Sequence, residues 1–306
     1  MCYPAVMATR NIENWKQRLI TILVIPFTTC SARLPVYLII IALVIPPGYF
    51  LGLSYQALTL MLLYLLGFFM AVFSAFLLDR ILQPNRKTFF VVEMPNYRMP
   101  LLKNVLFTVL EKTKTFIFEA GKIILAISII LWVMASYGPG AEFKKADQII
   151  DSTYPEVSFS ERSDKIAAYK LEHSYIGLLG KAIEPVIKPL GYDWKVGIGL
   201  VTSFAAREVF VGTLATIYSV GSSNESDSIE TIKTKMSQER HADGRKVFTL
   251  ASGISLLLFY AFAMQCMSTL AIVKRETKSW KWPLLQLTIM TALAYLVALI
   301  AFQFLK

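Results

Sequence analysis

The sequence predicts an all-α polytopic integral membrane protein with about six transmembrane crossings, some of them discontinuous gate-type helices. Three observations carry this. Hydrophobic residues make up 55% of the 306-residue chain and charged residues only 17%, with a mean hydropathy of +0.53; soluble domains run near 45–50% and about 25%. Several uncharged runs are long enough to cross ~30 Å of hydrocarbon at 1.5 Å per residue. One apolar stretch is interrupted by prolines and small polar residues. This composition excludes a disordered chain, a nucleic-acid-binding domain and an ordinary soluble enzyme. The net charge of +10, from 31 Lys+Arg against 21 Asp+Glu, then points to basic cytoplasmic loops, with no nucleic-acid partner. Three cysteines are too few, and odd in number, for a disulfide framework. No signal peptide is expected, because Met1 precedes Cys2 and a proline without a basic start.

The first gate segment spans 1–56. Its stretch Leu19–Pro46 has two apolar halves, each too short to cross, around Pro26-Phe27-Thr28-Thr29-Cys30-Ser31-Ala32-Arg33-Leu34-Pro35. Prolines bracketing small polar residues predict a broken helix. Opened backbone at membrane depth is tolerated only inside protein or along a cavity. Region 57–136 holds the uncharged run Ala57–Leu78, a basic loop, and Phe116–Ser136. Pro100–Thr115 carries apolar residues at three- and four-residue spacings and reads as an amphipathic helix lying at the interface. Ile176–Leu190 is a candidate for a second, within an extracytoplasmic loop region at 137–193. A second gate segment and a cytoplasmic loop occupy 194–246, and the C-terminal crossings occupy 247–306.

Loop charges set the orientation. Pro47–Gln56 has no Lys or Arg and belongs outside; Arg80–Thr115 holds seven and belongs inside. Alternation then puts Gly221–Lys246 and the C-terminus inside. It also puts the strongly basic Lys274–Lys281 outside, against the charge rule. Either an earlier segment does not fully cross or Val247–Val273 re-enters.

Ionisable or soft-ligand residues inside a span are costly, and so are functional candidates. Cys30 lies in the opened turn beside Thr29 and Ser31, where a thiol suits a soft or borderline metal; elsewhere a lone Cys is a small hydrophobe. Cys2 and Cys266 complete the thiols. Met264, Gln265 and Met267 flank Cys266; the methionines read first as packing, whereas the Gln265 amide needs a partner at depth. Arg207 and Glu208 adjoin on a helix, point about 100° apart and need other partners. Arg33 is a candidate for Glu208, and a structural ion pair weighs equally with a transport role. Glu119 and Lys122 read as snorkelling to the interface. His173 and His241 read as solvated loop residues. The chain carries no G-x-x-x-x-G-K-[ST] loop and no H-E-x-x-H, so no enzyme is expected.

Cys2 to Arg10 echoes Cys266 to Lys274. In each, a basic residue follows the Cys by eight positions, and a Trp-Lys pair comes after (Trp15-Lys16, Trp280-Lys281). Repeated halves with a site at their interface are a transporter hallmark.

An ordered set of motifs resembles the membrane region of the bacterial ferrous iron transport protein B family. It comprises Cys2-Tyr-Pro-Ala-Val-Met-Ala-Thr-Arg10, Pro26-Phe-Thr-Thr-Cys-Ser-Ala-Arg-Leu-Pro-Val-Tyr37 and Glu93-Met-Pro-Asn-Tyr-Arg-Met-Pro100. Gly191-Tyr-Asp-Trp-Lys195, Phe204-Ala-Ala-Arg-Glu-Val-Phe-Val-Gly-Thr-Leu214 and Val273-Lys-Arg-Glu-Thr-Lys-Ser-Trp-Lys-Trp282 complete it. The resemblance implies an inner-membrane, multi-pass importer of Fe²⁺, with gate segments around Cys2–Pro46 and Val196–Ser219. It implies metal ligands at Cys30, Cys2 and Cys266. The residues themselves suggest Glu208 as a further ligand beside the thiols. Thr29, Ser31, Arg33, Ser203, Arg207, Gln265 and Met264 would support the path. Fe²⁺ is then cargo, with no permanently bound cofactor; the other partners are membrane lipids and a GTPase-bearing N-terminal portion of full-length members. A homo-oligomer is left open. Two departures stand out: Met1 takes the place of the usual glycine before Cys2, and Ala263-Met264-Gln265-Cys266 lacks the proline many members carry, removing the local signal for a break. The chain thus reads as a C-terminal permease piece. The competing readings are a carrier for nucleosides or other organic solutes, and a non-transporting membrane fragment.

Overall fold

The computed structural model describes residues 2–50, 52–82, 101–139, 166, 169–204, 207, 209–217, 236, 247–264 and 266–306. The helices, in chain order, are α1 (Cys2–Ala8), α2 (Trp15–Val24), α3 (Leu34–Val44), α4 (Tyr55–Ile81), α5 (Leu102–Ser136) and α6 (Tyr175–Ile187). They continue with α7 (Trp194–Ser203), α8 (Val209–Ile217), α9 (Leu250–Phe262), α10 (Met267–Thr277) and α11 (Lys281–Leu305). A two-residue antiparallel hairpin, β1 (Tyr49–Phe50) and β2 (Leu53–Ser54), joins α3 to α4 around Gly52, whose φ of 82° suits glycine. Among the described residues, four segments are long and apolar enough to span: Trp15–Val44, Tyr55–Ile81, Leu250–Thr277 and Lys281–Leu305; Leu125–Ser136 is a shorter apolar stretch. The molecule is an all-α polytopic membrane protein.

Helix starts follow local side chains. Asn14 accepts from the Lys16 amide, Ser54 from Ala57, Ser174 from Gly177 and Asp193 from Trp194. Thr249 and Ser252 form a reciprocal capping box at the start of α9. Helix α9 is the central element: its side chains from Ala251 to Phe262 are mostly buried. It packs on α3, α4 and, most extensively, α11. The close fit shows at Gly253, where a Cβ would overlap Val44 Cγ2. Polar clamps tie the layers. Tyr192 Oη and Ser255 Oγ lie 2.9 Å apart, and Ser255 donates to Ala298 O at 3.0 Å. Gln286 donates to Leu23 O at 2.9 Å. Outward faces of α4 stay apolar, with Phe68, Phe69 and Phe76 exposed, as expected of a surface against lipid.

The broken helix expected around Cys30 is present. Helix α2 gives way to a 3₁₀ turn at Ile25–Phe27, extended backbone follows, and a second 3₁₀ turn at Ser31–Arg33 leads into α3. One expectation needs correction. Pro100–Thr115 does not yield a separate interfacial helix: α5 runs unbroken for 35 residues, because no proline lies within Leu102–Ser136 and its sole glycine, Gly121, meets nothing within 4 Å. Ile176–Leu190 is helical, as α6 and the turn Lys188–Leu190, with Leu178, Leu179 and Val186 exposed and Ile176 and Ile187 buried. Gly180 abuts Ile198 and Trp194 O, and α6 packs along α7.

Contacts also settle which loops share an end. Lys16 Nζ meets Asp79 Oδ1 at 2.7 Å, and Arg10 and Arg18 converge on buried Glu276 at 2.5 and 2.6 Å. The beginning of α2, the end of α4 and the end of α10 therefore lie together. The opposite end holds Val44 against Gly253, and Gly191 against Phe302. Lys274–Lys281 thus lies at the Asp79 end, and α11 finishes at the other. Alternation fails at Val196–Ser219, whose described helices α7 and α8 fold back on each other. Phe210 in α8 abuts Gly199 in α7, Thr213 Oγ1 donates to Thr202 Oγ1 at 3.0 Å, and Ile217 joins a buried cluster with Ile176 and Ile198. Helix α8 stays in the half of the molecule that α7 occupies. Gly221–Lys246, apart from Met236, lies outside the described residues.

Candidate functional site

Three chain breaks meet inside the bundle. At the first, Pro26 cannot donate an amide and the chain leaves helical geometry; Cys30 has φ −109° and ψ 155°. Arg33, only 1% exposed, turns back and donates from Nη2 to Pro26 O at 3.0 Å. Thr28 Oγ1 donates to Ile25 O at 2.6 Å. These bonds satisfy carbonyls that the broken helix leaves open. Helix α4 presses on the break where Gly67 leaves room: a Cβ there would lie 3.2 Å from Phe27 O.

The second and third breaks hold each other. Helix α7 ends at Ser203 and α8 begins at Val209; α9 ends at Phe262 and α10 begins at Met267. Arg207 Nη2 donates to Ala263 O at 2.9 Å, and the Met267 amide donates to Phe204 O at 3.2 Å. Ala263 and Cys266 are both extended, with ψ of 137° and 108°. The break at 263–266 therefore forms without a proline, because the partners that replace its helical bonds come from another segment.

Tyr37 joins the first break to the second. Its side chain is fully buried, its hydroxyl has no hydrogen-bond partner among the described residues, and Arg33, Arg207 and Cys30 lie within electrostatic reach. Tyr260 faces Ser203 and Arg207 and packs its ring on Phe210 at 5.0 Å between centroids. Neither tyrosine stands among the sequence candidates. The available signal was a phenol placed in otherwise aliphatic spans, Pro35-Val-Tyr37-Leu and Leu-Phe-Tyr260-Ala.

Cys30 and Cys266 are each half-buried, outside any disulfide, and each precedes the first residue of a helical turn. Neither is sealed in aliphatic packing. Helix α1, which starts at Cys2, packs on α10 and on the Ile25–Phe27 turn. Val6, Ile22, Ile272 and Val273 form its buried contact, so the two echoing segments lie side by side. The Cys2 side chain, Glu208 and Gln265 lie outside the described residues. Thr29 is half-buried and Ser31 exposed. Ser203 is buried and donates to Leu200 O at 2.8 Å. Met264 is 2% exposed within the main apolar core. Lys122 is exposed, as snorkelling expects, and the Glu119 side chain is outside the described residues. His173 is half-buried, with Nδ1 3.0 Å from Tyr169 O; His241 is outside the described residues. Among the described residues, no three His, Cys, Asp or Glu side chains gather as a metal cluster.

Comparison with known proteins gives a consistent picture. The Gate family, described as nucleoside recognition, matches residues 117–280, and the family described as ferrous iron transport protein B C terminus matches 60–112. A protein named Fe(2+) transporter FeoB from Leptospira interrogans serogroup Icterohaemorrhagiae serovar Lai is 44% identical over 98% of this chain and 41% of its own length. Relatives of the same name from Methanocaldococcus jannaschii and Helicobacter pylori are 33% and 32% identical, over 97% and 98% of this chain and 38% and 46% of theirs. The chain thus spans about two fifths of the length of the first of these relatives. No solved structure matches.

Proposed function

The chain belongs to the Gate family, in the form carried by the C-terminal membrane region of ferrous iron transport protein B, and on that premise we propose that its three helix breaks line a path for Fe²⁺ across the bacterial inner membrane. The observation that carries this reading is the reciprocal pair of bonds, Arg207 to Ala263 O and Met267 to Phe204 O. They hold Cys266 in opened backbone, as the prolines hold Cys30. Discontinuous helices whose ends face one another are how transporters build ion sites at membrane depth.

In this proposal Cys30, Cys266, Cys2 and Glu208 are the ligands. Thiolate and carboxylate suit a borderline dication. They also offset the two guanidinium groups fixed at the breaks, which alone would raise the barrier to any cation. Arg33 and Arg207 hold the opened carbonyls in place. Thr29, Ser31, Ser203 and Gln265 supply weaker oxygen partners, so that the ion binds yet leaves. Met264 supports the wall from the core.

The positive-inside rule places the end with Asp79, Arg80 and Lys274–Lys281 in the cytoplasm. We assign the path to the gate segments within 1–56 and 194–246 and to the C-terminal crossings at 247–306. The remaining parts, 57–136 and 137–193, act as supporting structure. GTP-dependent driving, which the family resemblance implies, would come from sequence that the longer relatives have and this chain does not align with. The organic-solute reading is not favoured, since iron transporters match along nearly the whole chain.

Cys30→Ser and Cys266→Ser, introduced in the chromosomal copy, test the proposal. Each is expected to lower Fe²⁺ uptake by about tenfold or more, the scale of losing a metal-site partner, with membrane levels of the protein unchanged. Uptake equal to wild type at equal protein level would remove the thiols from the path.

A further inference from the structure

A second site lies away from the breaks. Between α5, α10 and the turn into α11 there is a cavity of about 870 Å³, within the roughly 300–1,000 Å³ range of built small-molecule pockets. Its deeper wall is apolar, with Ala126, Ile127, Leu270 and Ala271. Its rim carries Lys122, Lys274, Arg275 and Lys278, and no acidic residue lines it among the described residues. The nearby carboxylate, Glu276, is buried on the other side of α10, where Arg10 and Arg18 hold it. Lys274 Nζ sits 3.9 Å from the centroid of the exposed Trp280 ring. Lys278 adopts φ 51° and ψ 23°, a left-handed turn that ends α10 and brings Ser279 and Trp280 back to the cavity.

We propose that this cavity seats an anionic phospholipid of the cytoplasmic leaflet, its phosphate among the lysines and an acyl chain along the apolar wall. Charge complementarity selects the occupant. Three rim lysines, Lys122, Lys274 and Lys278, with no carboxylate in the lining among the described residues, favour a negative ligand. The apolar wall includes α5, where Leu125 and Ile129 are exposed, and Trp at the rim marks headgroup depth. The site is independent of the iron reading and needs only the membrane placement of α10 and α11.

Trp280 supplies the probe. The whole protein is reconstituted in phosphatidylcholine vesicles, and acyl-brominated phosphatidylglycerol or acyl-brominated phosphatidylcholine is added at equal mole fraction. The Trp280 emission is isolated by difference from Trp280→Phe. Brominated phosphatidylglycerol should quench preferentially, by roughly fivefold in relative affinity for each lysine engaged. Lys274→Ala with Lys278→Ala should bring the two lipids to parity, and Lys274→Arg with Lys278→Arg should keep the preference. Inorganic phosphate should not displace the lipid. Equal quenching by both lipids in the wild type, a preference that survives the double alanine variant, or displacement by phosphate alone would overturn the proposal.

Discussion

Tyr37 is the residue whose chemistry asks most for explanation. A buried hydroxyl without a partner costs about 1–3 kcal/mol, yet the phenol stands fully buried beside Arg33, Arg207 and Cys30. If its hydroxyl serves passing Fe²⁺ or the water the ion sheds, Tyr37→Phe separates stability from function. The variant is expected to unfold no more easily than wild type, and to gain up to about 1 kcal/mol, since the unpaired hydroxyl is removed. Fe²⁺ uptake should fall several-fold nonetheless. Thermal unfolding in detergent alongside uptake in cells checks both halves, and unchanged uptake would make the hydroxyl a passive feature. At this scale the sequence was legible where chemistry is local. Cys30 stands out because Pro26 and Pro35 bracket it. Tyr37 does not, because nothing in an apolar helix tells which face meets two arginines, one of them from a segment far along the chain.

Helices here are defined as much by where they stop as by where they run. The stop at Pro26 could be read directly, because proline removes an amide donor and disfavours helix before it. The stop at Ala263 could not. Its carbonyl is taken by Arg207 and the Met267 amide by Phe204 O, so the break depends on a segment about sixty residues earlier and has no local signature. Hydropathy also measured the length of Val196–Ser219 without its direction, and the fold of α8 back on α7 made alternation misplace Lys274–Lys281 and the C-terminus. Close packing fixes these elements. Gly253→Val would drive side-chain atoms into Val44, whose methyl groups already occupy the space a Cβ would need. It is expected to destabilise the protein by roughly 1–3 kcal/mol, the usual cost of overpacking. Gly121→Ala, with nothing within 4 Å, should instead stabilise by about 0.5–1 kcal/mol through helix propensity. Thermal midpoints of the two variants test the contrast, and a harmless Gly253→Val would show that α3 and α9 are not locked.

Over the whole molecule, contacts between distant parts of the chain organise both charge and breaks. Arg10 and Arg18 reach Glu276 across 266 and 258 residues, joining the start of the chain to the end of α10. Removing either arginine would leave the buried Glu276 carboxylate short of a partner, so this cluster anchors α1 and α2 to α10 at the basic end. The same folding brings Pro26–Arg33, Phe204 with Arg207, and Ala263 with Met267 into one region. The overall class and the first break were therefore readable from composition and prolines, while the convergence arises only when three separate stretches of sequence fold together. Metal binding tests that convergence most directly. Co²⁺, a spectroscopic stand-in for Fe²⁺, added to the purified protein should give a sulfur-to-cobalt charge-transfer band that loses intensity in each of Cys30→Ser and Cys266→Ser and disappears when both are combined. A spectrum without sulfur ligation, or a band that survives both substitutions, would contradict a shared thiol site at the meeting of the breaks.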